Sequence, residues 1–181
     1  MGADGKKSKR SRVQSRGVCR LMLDRAFFNE LGKDVRDMYR KLIFDPDGGG
    51  KEAKDVFGSN YKSYSKEYGD AKRAGILKGI DKTPQHQKHK NSRSPVLTGQ
   101  LMNSFDTVGS HSEGFGFGTT TQRGKTKKLA DMGRVVFSNA KPVPDEVAKF
   151  IMDEMTKDVK GAFKKIRKAI RRKKININIG K

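Results

Sequence analysis

The chain has 181 residues, a formal net charge of +21, 33% hydrophobic residues and a mean hydropathy of -0.81. Such a composition fits one modest core with solvated or partner-held segments, and it excludes a chain packed throughout. No run of about 18 apolar residues occurs, no secretory apolar stretch follows the basic start MGADGKKSKRSR, and the lone Cys19 excludes an internal disulfide framework, so a soluble protein of a reducing cytosol is expected.

A basic arm over residues 1–17 comes first, with Lys6, Lys7, Lys9, Arg10 and Arg12 as candidate contacts to DNA or to an acidic partner. From about Val18 to Ile43, Leu21, Phe28, Leu31, Val35, Met38 and Leu42 recur at helical spacing, which predicts an amphipathic helix. FDPDGGGK ends it, because the residue before Pro46 is steered out of helical geometry and three glycines follow. Asp45, Asp47 and Gly50 match the first, third and sixth positions of a calcium loop, but the twelfth is Val56, so the stretch reads as a plain turn. A short helix is expected from about Ser65 to a stop at Gly75, with Tyr61, Tyr64 and Tyr68 read as packing aromatics rather than as stacking platforms for bases. Residues 76–93 look like an exposed loop, polar and broken by proline. His86 and His89 within it have no cysteine or carboxylate cluster to complete a zinc site and are expected to tolerate replacement by alanine.

SPVLTGQLMNSF then turns the chain. Pro95 keeps Ser94 extended, Thr98 can cap a short turn, Gly99 allows a tight backbone path, and Leu101 and Phe105 drop into the core, with Ser104 closing the corner. Phe105, Thr107 and Gly109 alternate with polar residues, and Phe115 and Phe117 with glycines, which predicts an antiparallel hairpin over about 105–110 and 114–119. A polar loop from Thr119 to Lys127 and a helical turn in KKLADMG lead to a third expected strand at 134–138. Pro144 opens a last helix, with Asp145 and Glu146 in its first turn and an apolar line from Val147 through Ile151 and Met155 to Ile170. Its end is crowded with cations: Lys164, Lys165, Arg167, Lys168, Arg171, Arg172, Lys173 and Lys174 are further candidate contacts to DNA or a partner. In the extension over 173–181, Ile175, Ile177 and Ile179 alternate with asparagine, the pattern of a strand that docks on a neighbour's sheet edge.

The expected architecture is a single α+β domain over residues 18–172: a small antiparallel sheet packed against a long N-terminal and a long C-terminal helix, with basic terminal arms. The arms hold most of the charge. Residues 1–20 carry seven Lys or Arg against one Asp, and residues 157–181 carry eleven against one.

From about residue 55 to 155 the order of motifs resembles the tail-completion or virion-morphogenesis proteins of tailed bacteriophages, a family of small neck and minor tail proteins. YKSYSKEYGDAKRAG is similar to the family's aromatic lead into a short helix with a basic end. Leu97, Thr98, Gly99, Leu101 and Ser104 match its apolar-Thr-Gly-x-Leu-x-x-Ser block. A hairpin follows, then a helical turn ending in Gly133, then a basic-Pro element at Lys141-Pro142 before the last helix. KKLADMG stands where the family has Tyr-Ala-x-x-His, and Val143 where it has an aromatic residue.

The resemblance implies a structural virion protein of the head-tail neck, assembled in the host cytoplasm into a homo-oligomeric ring. Its neighbours would be a head connector or adaptor and a tail terminator or tail tube, with packaged DNA nearby and no membrane. Neither an enzyme nor a cofactor is expected, because three scattered histidines and one cysteine in a basic arm form no catalytic constellation. The alternative is a non-specific nucleic-acid-binding basic protein, which the net +21 alone would suggest.

Overall fold

A computed structural model describes residues 24–77, 83–96, 99–111, 114–119 and 121–177. The first helix, α1 (Arg25–Phe44), is set at its start by Asp24, whose carboxylate accepts from the Phe27 N–H at 3.0 Å. At its other end Asp45 adopts a left-handed conformation and its N–H closes on the Lys41 carbonyl. Residues 18–23, the expected start of this helix, lie outside the described residues.

α1 carries two apolar faces. Tyr39, Ile43 and Phe44, near its end, enter one core with Ala53, Val56, Tyr61, Val96, Leu101, Met102, Phe105 and Val136. Phe28, Leu31 and Val35, near its start, enter a second with Val147, flanked by the half-buried Phe115, Phe150, Ile151 and Met155. Phe117 and Val143 pack against both.

The next elements are short. α2 (Lys66–Ala74) is capped by the Ser65 hydroxyl, which accepts from the Tyr68 N–H, and it ends at Gly75 in the left-handed region, as its sequence predicts. α3 (Pro84–His89) follows, with Thr83 as its cap. This corrects the reading of 76–93 as an exposed loop, because the helix buries both of its histidines, His86 at 1% exposure and His89 at 0%. The glycine turn after α1 explains the fit: a side chain at Gly50 would lie 2.5 Å from Ser94 Cβ and 2.9 Å from His89 Nδ1. The backbone of DPDGGG is therefore pressed against α3 and the turn that follows it.

α4 (Gln100–Ser104) leads straight into β1 (Phe105–His111), which pairs antiparallel with β2 (Gly114–Thr119). Phe105 faces Thr119 and Thr107 faces Phe117, and a bulge at Gly109 inserts one extra residue into β1. After α5 (Arg123–Asp131), which starts earlier than KKLADMG suggests, residues 134–138 are irregular, with a bend at Val136, and do not form the expected third strand of this ladder. Their carbonyls are taken singly: Val135 O accepts from the Val56 N–H at 2.9 Å, and Val136 O accepts from the Tyr39 hydroxyl. The general expectation of an α+β domain holds, with a two-stranded ribbon among the described residues.

α6 (Asp145–Ile177) is the longest element, with 33 residues. Pro144 stands just before it, its carbonyl accepting from the Ala148 N–H. Because α6 continues through Ile177, Ile175 and Ile177 are helical, which corrects the docking-strand reading; Ile179 lies outside the described residues. No glycine or proline stands between Gly161 and Gly180 to stop the helix, and a lone isoleucine-asparagine alternation does not outweigh propagation of a helix already formed.

The ribbon crosses α1 at Gly32, where an added Cβ would sit 2.5 Å from Thr107 Cγ2. An alanine in mid-helix ordinarily gains about 0.5–1 kcal/mol over glycine. Here the sign should reverse: Gly32→Ala is expected to lower stability by about 1–3 kcal/mol in urea unfolding. Thr107→Ser, which removes only the obstructing methyl, should restore most of the loss in the double variant; full stability of Gly32→Ala alone would refute the close approach.

Candidate functional site: a structural corner, a buried lysine and two cationic surfaces

The corner that the sequence singles out is built as scaffold. Pro95 is buried, Gly99 sits at φ 81° as the residue capping α4, and Leu101 and Met102 enter the core. The helix has no side-chain cap, and its capping position falls on Gly99 rather than Thr98, which lies outside the described residues. A Cβ at Gly99 would meet Gln85 Cγ at 3.1 Å, so α3 packs against the corner. The Ser104 hydroxyl contacts the Leu101 carbonyl at 2.7 Å and the Thr119 hydroxyl at 2.8 Å, tying the end of α4 to the end of β2. The buried side chains of the motif hold the chain in place, while Gln100 and Asn103 are exposed.

Beside the corner lies a feature that sequence reasoning missed. Lys72, on α2, is buried at 1% exposure, and its ammonium donates to the carbonyls of Ser92 at 3.0 Å and Ser94 at 2.9 Å. His86 Nε2 meets the Lys72 carbonyl at 2.8 Å, so α2, α3 and the turn after α3 are joined around one residue. Burial, with Arg134 nearby, pushes the Lys72 ammonium down to about 8. Among the described residues no carboxylate pairs with it. The tyrosines are packing groups: the Arg134 guanidinium lies 3.7 Å over the Tyr64 ring, the Tyr68 ring lies tilted against it with centroids 4.8 Å apart, and the Tyr64 hydroxyl donates to Ser94 O.

Lys72 lines a cleft of about 180 Å³ between α2 and the turn at 90–93. Lys66, Arg73, Lys90 and Arg93 complete its charged lining, Ser63, Ser65 and Asn91 supply neutral donors, and no carboxylate lines it. The second cationic surface is the one the sequence points to. On α6, Lys164, Lys165, Arg167, Lys168 and Arg171 are all exposed, beyond Ala162, its last buried residue. Arg172, Lys173 and Lys174 continue the same helix, and Lys6, Lys7, Lys9, Arg10 and Arg12 lie outside the described residues.

His86 and His89 are not the dispensable loop residues that their polar setting suggests. Replacing either by alanine would open a cavity in a fully buried seam, and at His86 it would also remove the hydrogen bond to the Lys72 carbonyl. Among the described residues no group of three or more His, Cys, Asp or Glu side chains is placed to hold a metal ion. Burial and the nearby Lys72 push the His89 imidazolium down to about 4; Asp45 and the Pro46 backbone pull the other way without making a hydrogen bond of good geometry. The unfolded chain, with an ordinary histidine near 6.5, therefore binds a proton that the folded chain refuses between about pH 6.5 and 4. Stability is expected to fall as pH drops through that window, by about 2–3 kcal/mol from this residue between pH 7 and 4.5. Urea unfolding at the two pH values checks it: His89→Gln should lose that part of the pH dependence, and an unchanged slope would contradict the assignment.

Comparisons with known proteins leave the chain standing alone: no family model, no curated protein and no solved structure matches it.

Proposed function

We propose that the chain is a structural subunit of the neck of a tailed bacteriophage, acting by assembly into a ring at the head-tail junction. The order of its elements supports the reading. α2 ends in Lys72 and Arg73 and stops at Gly75, the corner at Gly99, Leu101 and Ser104 feeds an antiparallel hairpin, α5 gives way to Gly133, and Lys141-Pro142 precedes α6. That is the succession the resemblance to tail-completion proteins implies.

The observation that carries the proposal furthest is the way α6 leaves the body of the domain. Its last buried residue is Ala162, yet it continues to Ile177 with Phe163 at 57% exposure and a dense set of exposed cations. A helix so charged and so little packed is costly alone and is stabilised by an anionic neighbour. In a neck ring, identical subunits meet head to tail and close by rotation. The basic helix ends then face DNA in the lumen or acidic protein of an adjoining ring.

The second reading, a non-specific nucleic-acid-binding protein, draws on the net charge of +21. Antibody labelling in electron microscopy separates the two. Label is expected at the head-tail junction of intact particles; its absence there, with the chain recovered on bulk nucleic acid, would overturn the neck assignment. A truncation ending at Phe163 is expected to unfold cooperatively, because it keeps Ala162, the last buried residue of α6, and to lose incorporation into particles. Normal incorporation of the truncated chain would remove the role given to the basic helix end.

A further inference from the structure

We infer that the cleft between α2 and the turn at 90–93 is a second nucleic-acid contact, binding backbone phosphate groups without regard to sequence. The geometry behind this is separate from the basic end of α6. Five cations, Lys66, Lys72, Arg73, Lys90 and Arg93, line one concavity with no carboxylate among them. Arg73 pairs with Asp70, which is exposed and outside the lining, and Lys90 reaches Gln87 Oε1 at 3.3 Å. The other three have no carboxylate partner among the ion pairs of the described residues.

Lys72 gives the cleft its direction. An ammonium has three N–H donors, and two of these go to the Ser92 and Ser94 carbonyls. Those carbonyls hold the group in place but supply no countercharge, and burying a cation without one is unfavourable. A phosphate in the cleft would provide it. Proton affinity agrees: the Lys72 ammonium, held down to about 8, would be drawn back toward its ordinary range by an adjacent anion.

The lining favours phosphodiester over an acidic peptide. Around the cations stand the hydroxyls of Ser63 and Ser65 and the amide of Asn91, which suit phosphate oxygens, while the Ser92 hydroxyl donates to the His89 carbonyl. Tyr64 is the one large apolar surface, and Arg134 already covers its ring. A peptide partner would bring carbon surface with nothing here to pack against, whereas a nucleic-acid backbone needs charge and donors alone.

The inference does not depend on the neck assignment and is tested on the isolated full-length chain. Duplex DNA affinity is measured against salt for the wild type, for Lys66→Ala/Lys90→Ala/Arg93→Ala, and for Lys127→Ala/Lys128→Ala/Lys149→Ala, which removes the same charge from exposed sites elsewhere. Each phosphate contact contributes about -0.9 to the log-log slope. The cleft variant should bind with a slope shallower by about 2, and the charge-matched variant should change far less. Equal slopes in the two variants would mean that only net charge matters and would overturn the proposal. Amide resonances of residues 63–66 and 90–93, followed on addition of a short duplex, should shift in the wild type; their constancy would overturn it as well. A third arm uses a polyglutamate peptide. Loss of peptide binding in the cleft variant, with its DNA slope intact, would assign the cleft to an acidic protein instead. A melting temperature for both variants close to wild type is expected, since the substituted side chains lie outside the core.

Discussion

Tyr39 is the residue on which the rest of the domain turns. Its ring lies 5.1 Å from Phe105 and 4.8 Å from Phe117, one on each strand of the ribbon, and its hydroxyl donates to the carbonyl of Val136. One side chain of α1 thus holds both strands and the irregular segment after α5. Burial pushes its phenol well above the ordinary range, so it stays a neutral donor at any physiological pH. Since hydrophobic residues are a third of the sequence, few side chains are available to link so many segments, and α1 supplies the links on two faces. Arg40, the next residue, adds to the same joint by donating to the carbonyls of Asn103 and Phe105.

How far this was legible from sequence depends on which residues do the burying. Phe28, Leu31 and Val35 announce α1 by spacing alone, and Ser65 and Gly75 bracket α2 because cap chemistry is local. The same periodicity misplaces the later part of α1: it favours Met38 and Leu42, which are half-buried, over Tyr39 and Ile43, which are fully buried. The reason is that the buried face rotates along the helix: Phe28, Leu31 and Val35 enter the core that holds Val147, whereas Tyr39, Ile43 and Phe44 enter the one that holds Phe105 and Val136. α3 escapes notice because its buried residues are histidines in a polar six-residue segment, where no hydropathy pattern exists to read. The cationic cleft escapes for a different reason. Its cations come from α2 and from a turn some twenty residues later, and only the packing of Lys72 under Ser92 and Ser94 brings them together.

The candidate corner shows the opposite case, in which a motif was found and its role follows from ordinary physics. Gly99, Leu101 and Ser104 carry backbone freedom, core volume and one hydroxyl tie, and each is used locally. A motif of this kind can identify a family while contributing nothing to a surface. Cations of the described surface gather at a concave site on the body and along a convex helix end. Concave and convex cationic sites make different demands on a polyanion, the first on the reach of a single phosphate, the second on the curvature of a whole backbone.

The length of α6 also fixes an angle. At about 1.5 Å and 100° per residue, its 33 residues span about 50 Å, and the interval from Met155 to Lys164 amounts to about two and a half turns. Lys164 therefore leaves the helix on the side opposite to Met155, and Lys168 and Arg171 share that side. Removing one residue from this interval would leave composition, charge and helix content nearly unaltered while swinging the whole cationic line by about 100° around the axis. The orientation of the basic surface relative to the domain is thus recorded as a residue count, and an insertion or deletion there acts as a rotation rather than as a loss.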